Sequence, residues 1–241
     1  MRIIKSAKHN FETFFKRSGI VYDNIQKPLN DYFLKRFSLD DAKLQKAVAE
    51  ENYEEAARIK NGYKDEAEDI SNRMANDVES EIDKLGIPYR FENLSGARGI
   101  AVNGYCVISN DVLKYPPHRM MRVIFHELAH HYQYRKYGSD FVEDIYVNDE
   151  DKLEEDVAKL QAVESTADKF AAMKTNFYIR KYDLSLPLIS SSGGSNSEGE
   201  KASLKRHLLR MKQMVREMPP EKRNIHDINE ALYNMIKGVE L

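Results

Sequence analysis

The 241-residue chain has a single cysteine, Cys106, so no internal disulfide can form. Its start, Met1-Arg2-Ile3-Ile4-Lys5, lacks the apolar run of a signal peptide. Together these two absences predict a reducing, cytoplasmic setting. No window approaches the roughly 20 apolar residues of a membrane-spanning helix, which excludes an enzyme embedded in a bilayer. Net charge is scarce as well, because charged residues make up 32% of the chain yet cancel to -2. No global field therefore favours nucleic acid or an anionic membrane, and any contact with a polyanion must be local.

What is present is concentrated in Val123-Ile124-Phe125-His126-Glu127-Leu128-Ala129-His130-His131-Tyr132. Each helical residue turns the chain by about 100°, so His126 and His130 fall on one face, one turn apart, where they can share a tetrahedral metal. From the adjacent position the Glu127 carboxylate can reach a water on the open side of that metal and accept its proton. Residue frequencies with seven histidines give a chance expectation of about 0.02 such HExxH motifs per chain, so the motif is specific. Neither Pro nor Gly interrupts the flanking uncharged residues, as a buried helix requires. His131 points about 100° away from His130 and cannot complete the same site, and His118 is expected at the surface.

A catalytic zinc normally has three protein ligands. Glu164 is the best candidate for the third, in a stretch where Leu153, Val157, Leu160, Ala167 and Ala171 supply an apolar helical face. Asp168, one turn on, shares the face of Glu164 and could accept the outer ring N–H of a ligand histidine. At His126-Glu127-x-x-His130 and Glu164-x-x-x-Asp168 the chain resembles the gluzincins, HExxH metallopeptidases whose third ligand is a glutamate. The finer pattern Glu164-x-x-Ala167-x-x-Phe170-Ala171 is similar to the small cytosolic ImmA/IrrE-type gluzincins, which cleave repressors; Leu186-Pro187-Leu188 stands for their apolar-Pro segment. The resemblance covers roughly residues 87 to 180. It implies an α+β, predominantly α-helical zincin-like metallopeptidase, with a small antiparallel or mixed sheet beside the HExxH helix.

The rest of the chain arranges itself around that domain. Residues 1–37 mix aromatics, among them Phe11, Phe14 and Phe15, with basic residues, and Ser18-Gly19 and Pro28 predict short helices. Residues 38–66 read as two helices meeting near Glu51-Asn52. Their Leu44, Ala47, Val48, Tyr53, Glu54, Ala56, Ala57 and Ile59 resemble the UVR hairpin of UvrB, UvrC and certain protease adaptors, which implies docking on a protein partner. Residues 67–188 form the expected zincin-like domain. It opens with a helix carrying Ile70, Met74, Val78, Ile82 and Leu85, which ends at Gly86. Strand texture follows at Tyr89-Arg90-Phe91, Gly99-Ile100-Ala101-Val102 and Tyr105-Cys106-Val107-Ile108, with Asn103-Gly104 as a hairpin turn. An edge strand there could bind an extended peptide through main-chain bonds. Cys106 reads as a small packed hydrophobe.

Acidic residues between 143 and 156, including Asp144, Glu154 and Asp156, read as a solvated loop and helix start without the spacing of a calcium loop. Residues 189–203, rich in Ser and Gly, predict a flexible linker. Residues 204–241 open with a basic helix lined by Leu204, Leu208, Met211 and Val215, expected to dock on the acidic segment, with binding of a partner or nucleic acid as the sharper alternative.

The chemistry that follows is hydrolysis of a peptide or protein substrate. His126, His130 and Glu164 hold Zn2+, which lowers the pKa of bound water to about 7. Glu127 is the general base and then the proton donor to the leaving amine. Tyr132, Tyr146, Tyr178 and His226 are all candidates to stabilise the oxyanion. A rival reading makes the metal structural, in a regulatory module that binds partners through the hairpin and basic tail; an intact Glu127 argues against it. Hydrolysis of a non-peptide amide is a third reading.

Overall fold

The computed structural model describes residues 20–102, 105–138, 144–146, 152–184, 186–190, 198–223, 227–228, 230–231 and 233–234. The chain is predominantly helical with a small three-stranded mixed sheet, an α+β arrangement. It divides into two compact units, residues 1–90 with 113–117 and residues 91–112 with 118–241. No helix among the described residues is long and apolar enough to cross a membrane.

The first unit contains helices α1 (Ile20–Asp40), α2 (Ala42–Ala49) and α3 (Tyr53–Asp83). Where Pro28 predicts a break, α1 runs straight through it. Interior Pro costs roughly 3 kcal/mol, but Ile25, Leu29 and Phe33, at spacings of four, are buried, and α1 packs along α3. Tertiary burial outweighs the local penalty. Phe11, Phe14, Phe15 and Ser18-Gly19 lie outside the described residues. The α2–α3 hairpin starts at an Asp41 cap and turns at Glu50–Asn52, where the Asn52 side chain accepts from the Glu55 N–H at 3.2 Å. The second arm then continues past residue 66 without interruption. A buried stripe of Ala56, Ala67, Ser71, Met74, Ala75, Val78 and Ile82 makes it one 31-residue helix, so the helix assigned from sequence to the zincin-like domain belongs with the hairpin.

The chain passes into the second unit within β1 (Tyr89–Glu92), followed by β2 (Gly99–Val102) and β3 (Tyr105–Ser109). The sheet order is β1-β3-β2, and β2 pairs antiparallel with β3, Val102 opposite Tyr105. The linking Asn103-Gly104 lies outside the described residues. Cys106 is buried in β3, and Val107 packs with Leu94 and Ile100.

Helix α4 (Pro117–Tyr137) carries the HExxH motif, and α5 (Leu153–Lys181) carries Glu164 and Asp168. Met120, Met121, Ile124, Phe125, Leu128 and Ala129 are the buried face of α4. Gly138, at φ +81°, ends that helix by donating its N–H to the Tyr134 carbonyl at 3.0 Å, a left-handed cap that glycine adopts without strain. The Phe125 and Tyr178 rings stack at 5.4 Å and fix α4 against α5. His118 is half-buried, with its Nδ1 shielded, where the sequence places it at the surface.

Helix α6 (Glu198–Glu217) begins inside the stretch expected to be a linker, and its Leu208, Met211 and Val215 are buried. Residues 191–197, the centre of that expected linker, lie outside the described residues. Leu208 packs with Ile145 and Val157. Asp156, expected in a solvated acidic run, is fully buried and 2.8 Å from the Lys212 Nζ, itself 1% exposed. The more exposed Glu154 pairs with Lys201 and Lys205. The basic helix therefore meets acidic residues of α5 in the same unit, and Lys212 is enclosed rather than available to a polyanion.

Candidate metal centre

The ligand face of α4 is built by spacing alone. His126 and His130 present their Nε2 atoms to one another at 3.2 Å, with the rings perpendicular. Helix α5 delivers Glu164 between them, Oε2 3.2 Å from the His126 Nε2 and Oε1 3.7 Å from the His130 Nε2. One donor atom from each of His126, His130 and Glu164 lies within 4.8 Å of the others. A tetrahedral zinc with arms of about 2.0–2.1 Å would set its ligand atoms about 3.3–3.4 Å apart, so the spacings fit.

The outer ring atoms decide which nitrogens face inward. The His126 Nδ1 lies 3.0 Å from the Asp168 Oδ1, an acceptor, so Nδ1 carries the proton. For His130 the chain of deduction is one bond longer. The Gln133 Nε2 donates to the Val163 carbonyl at 2.8 Å, which turns its Oε1 toward the His130 Nδ1 at 2.8 Å and makes that nitrogen a donor too. Both Nε2 atoms then offer lone pairs to the same point, where a carboxylate oxygen also converges. Such a cluster is repulsive unless a cation sits within it.

The electrostatics favour positive charge at this point. Burial works against an imidazolium at His126, but its bonds to Asp168 and Glu164 and the Glu127 charge lift it to about 10. Burial likewise opposes ionisation of Glu164, yet His126 and His130 hold its carboxyl below the ordinary range. The bond from His126 is the main cause lowering Asp168, helped by Arg122, whose guanidinium is 3.5 Å away. The surrounding carboxylates thus favour positive charge in this pocket, the environment that a bound cation requires.

Glu127 lies beside this cluster, 8% exposed. Desolvation raises its pKa, against the charges of His130 and His126 and an N–H bond from Ala101. A carboxyl held toward neutrality is suited to take and return a proton near pH 7. The Ala101 carbonyl accepts from the Tyr134 hydroxyl at 3.3 Å. In the order β1-β3-β2, β2 is one of the two edge strands, and its main chain at Ala101 is engaged by residues of α4.

The candidates for polarising a carbonyl separate clearly. Tyr178 is stacked between Phe125 and Tyr182 in the core, and Tyr132 sits against Phe170. Tyr146 is within electrostatic reach of Glu164; burial first, and that carboxylate second, push its phenol up to about 12. His226 lies outside the described residues. Three contributors carry no assignment from sequence. Gln133 and Tyr134 follow His130 at the third and fourth positions, the spacing that shares its face, and that spacing could have flagged them. His207 of α6 has no such signal. Burial lowers its pKa, while its coupling to Glu164 opposes that change. His131 faces the sheet, bonded to the Tyr105 backbone, and burial depresses it to about 4.

Outside this centre, the comparison with known proteins concerns the hairpin of the first unit. Residues 41–62 match UVR, the UvrB/uvrC motif. A UVR motif suggests interaction with protein or nucleic acid. No curated protein and no solved structure matches the chain. The match spans the Asp41 cap, the turn at Asn52 and the start of α3.

Proposed function

We propose that the chain is a zinc-dependent peptidase of the gluzincin type, acting on proteins or peptides. The observation that carries this reading is the convergence of the His126 and His130 Nε2 atoms and the Glu164 carboxylate at spacings of 3.2 to 3.7 Å. Zinc held there would supply Lewis acidity and a water acidified toward neutral pH. Asp168 and Gln133 keep the two imidazoles in the tautomer that leaves Nε2 open. Glu127 takes the proton of the attacking water and returns it to the leaving amine.

Asp168→Ala and Gln133→Ala are each expected to weaken zinc binding about 10- to 100-fold, read by competition with a chromophoric chelator. Unchanged affinity in either variant removes that residue from the support of the metal. For turnover, the wild type is expected to cleave members of a diverse peptide library, to stop on chelation and to recover on adding zinc. A library left intact under zinc-replete conditions would sink the peptidase reading.

The matched hairpin favours a second element, a docking arm for a protein partner. Val48 and Tyr53 within the matched residues, and Leu39 just before them, are large apolar side chains 52%, 69% and 62% exposed. In the rival reading this arm and the basic tail are the whole function and the metal serves shape. The buried carboxyl of Glu127 favours the enzyme, because a scaffold gains nothing from a desolvated acid.

A further inference from the structure

Glu127 depends on β2 for its place, and the register of the sheet explains how. The Ser109 N–H donates to the Arg98 carbonyl at 2.8 Å, and Val102 lies opposite Tyr105. Alternation along an antiparallel pair then turns the backbone groups of residues 98, 100 and 102 toward β3, and those of Gly99 and Ala101 toward the outer edge. The Glu127 carboxylate meets that edge and accepts the Ala101 N–H.

Gly99 is the residue it passes. A Cβ built there would lie 2.6 Å from both Cγ and Oε1 of Glu127 and 2.7 Å from Cδ, closer than the 3.0 Å that real Cβ contacts essentially never breach. Its φ is not in the left-handed region, so the backbone does not require glycine. Strands disfavour glycine, which contributes no side chain to pack. What glycine supplies here is space.

We propose that β2 is the positioning element for Glu127, with Gly99 leaving the slot that the side chain occupies and the Ala101 N–H fixing the carboxylate within it. Gly99 is a positioning residue that never touches substrate. The inference rests on the peptidase reading for its catalytic meaning but not for its steric content. A methyl group at residue 99 must displace Glu127 while leaving His126, His130 and Glu164 in place.

The test is a double-mutant cycle on the full chain, with melting midpoint, zinc content and turnover as readouts. Gly99→Ala is expected to keep its zinc, to lower the melting midpoint, and to lose about 10²-fold in kcat, the scale of a displacement near 1 Å, with KM changing less. In a Glu127→Ala background the colliding atoms are gone, so Gly99→Ala should leave the midpoint unchanged or raise it slightly. An equal fall in both backgrounds overturns the proposal, as does wild-type kcat in Gly99→Ala. If Gly99→Ala does not fold alone, folding of the Gly99→Ala/Glu127→Ala double variant supports the slot, and its failure to fold refutes it. The midpoint cycle needs no substrate, so it judges the slot even if the chain cleaves no peptide.

Discussion

Glu127→Gln is expected to retain its zinc and its fold while losing about 10² to 10⁴ in turnover, or roughly 3 to 5 kcal/mol of barrier. The carboxylate is not among the three converging donors, so the amide removes no ligand. Glutamine is nearly isosteric, fits the same space beside β2, and keeps an oxygen to accept the Ala101 N–H. What it loses is the capacity to take a proton. The variant should therefore also hold substrate without cleaving it. Kinetics on any peptide that the wild type cleaves, paired with metal analysis, separate the outcomes. Equal rates for the two proteins would mean that Glu127 is not the base, and loss of zinc would mean that it belongs to the metal cluster.

Lys212→Ala should cost stability on a comparable scale, roughly 3 to 5 kcal/mol, because it removes the cation facing a fully buried Asp156. The exposed neighbour provides the contrast: Lys205→Ala, at the Glu154 pair, should cost under about 1 kcal/mol. Replacing both buried partners with apolar residues, as in Lys212→Met/Asp156→Leu, should recover most of the loss. Urea unfolding followed by far-ultraviolet circular dichroism reads all three. A Lys212→Ala cost no larger than that of Lys205→Ala would show that the pair does not hold α6 to α5.

Residues whose geometry follows from one helix were legible in sequence. His126 and His130 fall on one face because they are four apart, and Glu164 and Asp168 likewise. The α2–α3 hairpin was equally visible, because its caps and turn are local. Features that depend on another element were not. The Gln133 amide is oriented by a carbonyl 30 residues away, at Val163. Gly99 acquires meaning only when β2 is registered against β3 and faced by α4. Pro28 and Asp156 were misleading because residue averages assign proline to helix ends and aspartate to solvent, and burial overrode both. The continuity of α3 past residue 66 was hidden for a related reason: an apolar stripe shows that a helix is buried, not which unit buries it.

The central claim is that His126, His130 and Glu164 bind one metal, and zinc stoichiometry by inductively coupled plasma mass spectrometry tests it most directly. After loading with zinc and exhaustive dialysis, the wild type should carry about one zinc per chain, and His126→Ala, His130→Ala and Glu164→Ala should each carry almost none. A wild type without zinc, or a Glu164→Ala protein that keeps its full complement, would contradict the account.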